Sequence, residues 1–196
     1  AAANPGVPGP ATRWRYNPPG RARSRIDRPG FEERRPRMSD PLVEQLDSLG
    51  IAYEIIPCDP ELADTAQFCA AYGYALEDSA NTILVAGKSD PPTHAACVVL
   101  ATTRLDVNRV VKKRMGVRKA SFASGTDTVQ LTGMAIGGVT PFGLPHDLPL
   151  WVDGRVMARD RIILGGGSRD RKVLAPPAIL TALGAETVEG LAREPS

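Results

Sequence analysis

Cysteine and histidine are scarce in this chain. Among 196 residues there are three cysteines, Cys58, Cys69 and Cys97, and two histidines, His94 and His146. An odd number of cysteines without a C-x-x-C pair excludes a disulfide scaffold and fits a reduced, cytoplasmic setting. The same shortage leaves no Cys/His set of the size a zinc site needs. Aromatic residues make up 5% of the chain, so the core must be built mainly from aliphatic side chains. No apolar run is long enough for a bilayer span, which excludes a transmembrane helix and leaves no membrane partner to expect. Neither a G-x-G-x-x-G fingerprint nor a Walker loop is present.

The formal net charge of +2 hides a split. Residues 1–38 hold nine arginines against Asp27, Glu32 and Glu33, whereas 39–196 hold 15 basic and 19 acidic residues. Seven of the 18 prolines also fall in 1–38. That segment has no helical or strand period and too little apolar surface to offset its ordering entropy, so it reads as a disordered Pro/Arg-rich tail. It lacks the apolar stretch of a signal peptide. It reads as a solvated extension, as the product of a start chosen upstream of Met38, or as an arm for RNA phosphates. Residues 39–193 read as the folded domain.

Within that domain, Asp40-Pro41 caps a helix from Leu42 to Leu49. A strand follows at Ala52–Ile56, and a second helix runs from Asp64-Thr65 to Gly73. Asn81–Ala86 reads as a strand. Ala95–Leu100 is apolar nearly throughout, as a central strand covered on both faces should be. From Asp106 a helix places Val107, Val110, Val111 and Met115 on one face. Lys119–Phe122 reads as a short strand and Thr126–Leu131 as a short helix. Leu148, Leu150 and Val152 alternate like an edge or half-buried strand. Ile162–Leu164 is a further strand, and a last helix starts at Pro176-Pro177. No regular βαβ repeat emerges. The expected architecture is a single compact α+β domain with a mixed or antiparallel sheet and flanking helices.

No Ser-His-Asp set is legible, and neither histidine reads as a general base. Cys58 is a candidate thiol with no visible activating partner. Two glycine segments stand out instead. Gly165-Gly166-Gly167 follows a strand and reads as a turn or a small anion nest. The loop Gly137-Gly138-Val139-Thr140-Pro141-Phe142-Gly143 permits close backbone approach to a ligand and can aim main-chain donors at a carbonyl or oxyanion. A tight connection between elements explains it equally well. Between residues 109 and 119 lie six cations and no acid: Arg109, Lys112, Lys113, Arg114, Arg118 and Lys119. They form either a phosphate-contacting patch or a solvated helix face.

Several ordered stretches together resemble the YbaK/EbsC family, relatives of the editing domain of bacterial prolyl-tRNA synthetases. They are Asn81-Thr82-Ile83-Leu84-Val85, Ala95–Leu100, Arg104-Leu105-Asp106, Leu131-Thr132-Gly133, Gly137 to Gly143, Leu150-Trp151-Val152-Asp153 and Ile163 to Gly167. The resemblance covers about residues 51 to 185. It implies hydrolysis, in trans, of the ester joining a wrong amino acid to a tRNA 3′ end, hence a role in translation fidelity. The implied partners are aminoacylated tRNA and, optionally, a synthetase. No metal and no other cofactor are implied; a terminal ribose hydroxyl of the substrate helps orient water.

The resemblance further implies that Asn81, Thr82, Gly137 and Gly138 serve catalysis. Val139, Thr140, Pro141, Phe142, Gly165, Gly166 and Gly167 would shape the aminoacyl pocket, and the six cations at 109–119 would bind tRNA. The family usually carries Lys where this chain has Asn81, which can hydrogen-bond but has no charge. Lys88 is no substitute, because it lies about 23 Å further along an extended strand and on the other face. Asn81 therefore keeps a second reading open, that of a non-catalytic module binding an aminoacyl-RNA end or a small metabolite.

Overall fold

A computed structural model describes residues 40–195, and the Pro/Arg-rich tail read at 1–38 lies outside the described residues. The first helix, α1 (Pro41–Ser48), starts as its sequence dictates: the Asp40 side chain accepts the Leu42 N–H, and Pro41 occupies the first turn. Then come β1 (Glu54–Pro57), α2 (Thr65–Tyr72), β2 (Ala80–Gly87) and β3 (Thr93–Leu100). After β4 (Arg104–Leu105), residues 107–111 make one widened turn, in which the Val111 N–H reaches the Asp106 carbonyl five residues back. It runs into α3 (Lys112–Arg114), so the single regular helix expected from Asp106 is a wide turn followed by a short α turn. Val107 and Val111 are nevertheless buried, as their spacing predicts. β5 (Ala120–Phe122), α4 (Gly125–Thr132), β6 (Leu150–Asp153), α5 (Gly154–Met157), β7 (Ile162–Gly165) and β8 (Arg171–Ala175) follow. α6 (Ala178–Ala182), β9 (Glu186–Val188) and β10 (Ala192–Arg193) complete the order.

The main sheet has the order β5-β2-β3-β6-β9. β2 runs antiparallel to β3 and β5, whereas β6 is parallel to both β3 and β9. This is the mixed sheet of the expected α+β class. The alternating segment around Leu150 is not an edge: Glu186–Val188 covers it, and Trp151, Val152 and Asp153 are all buried. A second antiparallel sheet, β1-β8-β7, packs nearby.

β3 shows how the core is divided. Val98 and Leu100 point into one cluster with Leu42, Leu46, Ile162, Leu164 and Ile179. Ala95, Cys97 and Val99 point into another with Val107, Val111, Trp151 and Leu191. Both faces of this strand are thus dry, as its apolar run requires. Each buried aliphatic side chain contributes about 1.5–3 kcal/mol by leaving water. A third cluster seats Phe68 of α2 against Ile56 and Ile163, with its ring stacked on Tyr72 and Tyr74. Buried Asp153 ties the C-terminal end in place, its two oxygens accepting the Ala192 N–H at 2.7 Å and the Arg155 N–H at 3.0 Å.

Candidate functional site

The site follows from an uncovered strand edge. β5 pairs with Val85–Gly87 of β2 and the Ala123 N–H reaches the Leu84 carbonyl, so among the described residues the Ala80–Ile83 part of that edge has no strand neighbour there. Along it opens a cavity of about 510 Å³. Its other walls are the start of α2, the Ile136–Val139 loop, the Ile163–Gly165 end of β7 and two cations, Arg169 and Lys172. A volume of this size is within the range of small-ligand pockets.

Of the residues read as catalytic, Asn81, Thr82 and Gly137 line this cavity. The Asn81 Oδ1 accepts a hydrogen bond from the Thr65 hydroxyl at 2.9 Å, which fixes the amide at the mouth of α2. The Thr82 Oγ1 is buried without a hydrogen-bond partner among the described residues. An unpaired buried hydroxyl costs about 1–3 kcal/mol, so its place on a cavity wall suits a polar ligand. Gly138 lies behind the wall, and its N–H is already donated to the Ala135 carbonyl at 2.9 Å.

Among the residues read as substrate-binding, Val139 and Gly165 line the cavity. Thr140, Pro141, Phe142, Gly166 and Gly167 do not. Phe142 is 1% exposed and belongs to the core cluster under α1, so it anchors the loop rather than facing a ligand. The Gly143 N–H donates to the Gln45 side chain at 2.7 Å and fastens the loop's exit to α1.

The two glycine segments read separately from sequence meet backbone to backbone. The Gly167 N–H donates to the Gly138 carbonyl at 2.8 Å. A Cβ at Gly138 would stand 2.5 Å from the Ser168 carbonyl oxygen, and one at Gly165 would press into the Val139 carbonyl with the Gly138 oxygen at 2.9 Å. Only residues without a Cβ allow these main chains to approach so closely. That contact holds the Gly137–Val139 wall at the cavity.

The cations that follow the second glycine segment were not anticipated. Lys172 is 5% exposed, and its ammonium donates to the Ala63 carbonyl at 2.7 Å and to the Gly137 carbonyl at 3.4 Å. Burial pushes its pKa below the ordinary lysine value, and neighbouring Arg169 pushes the same way. Arg169 makes the matching outer bridge. Its Nη2 donates to the Pro60 carbonyl at 2.7 Å and its Nη1 to the Ile136 carbonyl at 3.4 Å. Together they clasp the turn before α2 to the glycine loop. The available signal was three cations in four residues, Arg169, Arg171 and Lys172, directly after a glycine run.

The six cations at 109–119 lie away from the cavity lining. Arg109, Lys113, Arg114, Arg118 and Lys119 are exposed and Lys112 is half-buried. Arg114 is engaged elsewhere, paired with Glu186 and lying 5.1 Å from the Trp151 ring centroid. The stretch does lead into the cavity rim through β5, whose Phe122 lines the cavity and is 59% exposed. Cys58 is buried, and burial pushes its thiol above the ordinary value, which makes it a poor nucleophile.

A cavity walled by glycine main chain, a strand edge and a buried cation can bind an ester and polarise it without a titrating dyad. Comparison with known proteins places the fold and the family. Solved structures share the fold, and two of them illustrate the likeness. One is a hypothetical protein, 24% identical, with a TM-score of 0.69 over 76% of this chain and 98% of the other. The second was proposed to be a trans-editing enzyme for prolyl tRNA synthetase; it is 20% identical, with a TM-score of 0.66 over 80% of this chain and 99% of the other. Residues 59–183, which contain every wall of the cavity, match the aminoacyl-tRNA editing domain, and the chain belongs to that family.

Proposed function

We propose that this protein is an aminoacyl-tRNA deacylase that acts in trans, hydrolysing the ester between a mischarged amino acid and the tRNA 3′ end. The observation that carries this reading is the single cavity shared by Asn81, Thr82, Gly137, Val139 and Gly165. In the reaction, water adds to the ester carbonyl. The tetrahedral intermediate then expels the ribose oxygen, which takes up a proton. Free amino acid and uncharged tRNA result.

Asn81, steadied by Thr65, positions the aminoacyl group. The Thr82 hydroxyl supplies a hydrogen bond to it, and Val139 sets the room for its side chain. Thr140, Pro141, Phe142, Gly138, Gly166 and Gly167 serve from behind the wall, by holding the two glycine segments together. The exposed cations at 109–119 contact tRNA phosphates and guide the acceptor end past Phe122. The substrate's own hydroxyl helps to place water, an effect of proximity rather than of a protein base. A synthetase that makes the mischarged tRNA fits as the functional partner, in the cytoplasm. Membership of an editing family favours this reading over a non-catalytic binding module.

The test is hydrolysis by the full chain of alanyl-, cysteinyl- and seryl-tRNA carrying a prolyl acceptor. Turnover above the spontaneous rate for one of them is expected. Binding without turnover across the panel would restore the binding-module reading.

A further inference from the structure

We propose that Lys172 is the pocket's oxyanion-stabilising charge, an inference that rests on the deacylase reading. Lys172 is the second residue of β8, lies inside the protein and lines the cavity, and its ammonium sits between the carbonyls of two other lining residues, Ala63 and Gly137. Among the described residues, its hydrogen-bond acceptors are two main-chain carbonyls, Ala63 and Gly137, and it forms no ion pair. Asp64 lines the same cavity without making ion-pair contact with it. The Phe68 ring lies on another side, its centroid 5.7 Å from the Nζ.

Carbonyl groups satisfy N–H donors but do not neutralise the charge. A buried ammonium without a carboxylate is costly, and a plain core position would be filled better by an apolar chain of similar length. The cost is understandable at a cavity wall where negative charge develops. An ammonium has three N–H groups, and two are assigned here, so one remains for a ligand. Arg169, bridging Pro60 and Ile136 just outside, adds positive potential at the same wall. The glycine loop is less able to do this work alone, because the Gly138 N–H is held by Ala135.

When water adds to the ester, the carbonyl π pair moves onto oxygen. Lys172 stabilises that oxyanion until the C=O bond re-forms and the ribose oxygen leaves with a proton. No proton need pass through Lys172. Its charge stays fixed, and the fixed bonds to Ala63 and Gly137 mean that little reorganisation accompanies the step.

Two probes separate charge from shape. The first is adenosine bearing a 3′-(1-aminoethyl)phosphonate, a tetrahedral anion that cannot hydrolyse. The second is 3′-alanylamido-3′-deoxyadenosine, which is neutral at the corresponding carbonyl. The wild-type full chain should bind the phosphonate at least about tenfold more tightly than the amide. Lys172→Met removes charge and hydrogen bonds; Lys172→Gln removes the charge and keeps donors for the loop. Both should abolish the preference and slow single-turnover deacylation about 10²–10³-fold, the usual loss for an oxyanion donor, and Lys172→Gln, which keeps donors for the clasp, should bind the amide more tightly than Lys172→Met does. Lys172→Arg should restore much of the preference. An unchanged preference in the Met and Gln variants, or no preference in the wild type, overturns the assignment. A wild type that prefers the phosphonate yet turns over none of the tRNA panel keeps the charge site and sinks the deacylase reading instead.

Discussion

Replacing Gly165 by alanine tests whether main-chain contact between the glycine segments sets the cavity wall. The added Cβ would collide with the Val139 carbonyl and stand 2.9 Å from the Gly138 oxygen and 3.0 Å from the Val139 carbonyl carbon. Ordinary contact needs about 3.5 Å or more, so Val139 must retreat by about 1 Å. Overpacking of this kind costs about 1–3 kcal/mol. For a chain of this size that corresponds to a fall in Tm of about 2–12 °C. A displacement of about 1 Å at a reacting centre can cost about 10²-fold in rate.

Gly184→Ala is the control. Gly184 has φ 82°, so alanine there is strained, yet nothing lies within 4 Å of the new Cβ and the residue is remote from the cavity lining. It should lower Tm by a similar amount, because a left-handed alanine costs about 1–2 kcal/mol, and leave kcat/KM unaltered. The assay is deacylation of the best substrate of the panel, with Tm measured on the same samples. If Gly165→Ala matches Gly184→Ala in both Tm and rate, the wall is not set by this contact.

Thr82→Val removes the buried, unpartnered hydroxyl while keeping its shape. Tm should hold or rise while kcat/KM falls about tenfold, and an unchanged kcat/KM would show that the hydroxyl does not meet the substrate. The Arg171 guanidinium beside Asp40 holds that carboxyl below its ordinary value of 3.8. A depressed carboxyl stabilises the fold above its unfolded pKa, and that stability is lost as pH falls through the folded value. Asp40→Asn keeps a competent helix cap, so at pH 7 it should lower Tm by only about 1–3 °C, the scale of a partly exposed pair. The gap should begin to narrow below about pH 4 and shrink further as pH falls; a gap that stays constant from pH 7 to pH 2.5 would locate the effect outside the ion pair. Finally, Lys113→Ala, Arg118→Ala and Lys119→Ala together should flatten the salt dependence of tRNA binding by about two to three units of slope. Arg114 is left intact because Glu186 already engages it, and an unchanged slope would move the tRNA path to another face.

Much of the scaffold was legible because its signals are local. Ala95–Leu100 has the continuous apolar character of a doubly covered strand, and Asp40-Pro41 caps α1 as expected. The elements missed are those whose partners are distant in sequence. β8 begins Arg171-Lys172, and these charges conceal a strand whose second residue is buried. β9 begins Glu186-Thr187, which reads as surface, yet its pairing turns β6 from an apparent edge into an interior strand. The wide turn at 107–111 preserves the burial of Val107 and Val111 while changing the helix type, so hydrophobic spacing alone does not distinguish the two.

The site was legible in a different way. Glycine reports that two chains come close but not which two, so Gly138 and Gly165 could be singled out while their contacts with Ser168 and Val139 could not. Once paired, they explain why no acid–base dyad stands out. The wall is main chain, and main-chain dipoles carry no side-chain signature. The same logic explains why the buried cation carries no signal in β2. Asn81 occupies the cavity edge through its bond to Thr65, whereas the buried charge arrives from β8, 91 positions further along, and reaches the cavity because β7 and β8 pack beside the open edge of β2. The chemistry of this pocket is therefore set by how the second sheet docks on the first. A substitution that shifts β8 without touching the cavity, such as one that loosens Arg171 from Asp40 and the Gly166 carbonyl, should change the rate by moving Lys172 and the clasp it forms.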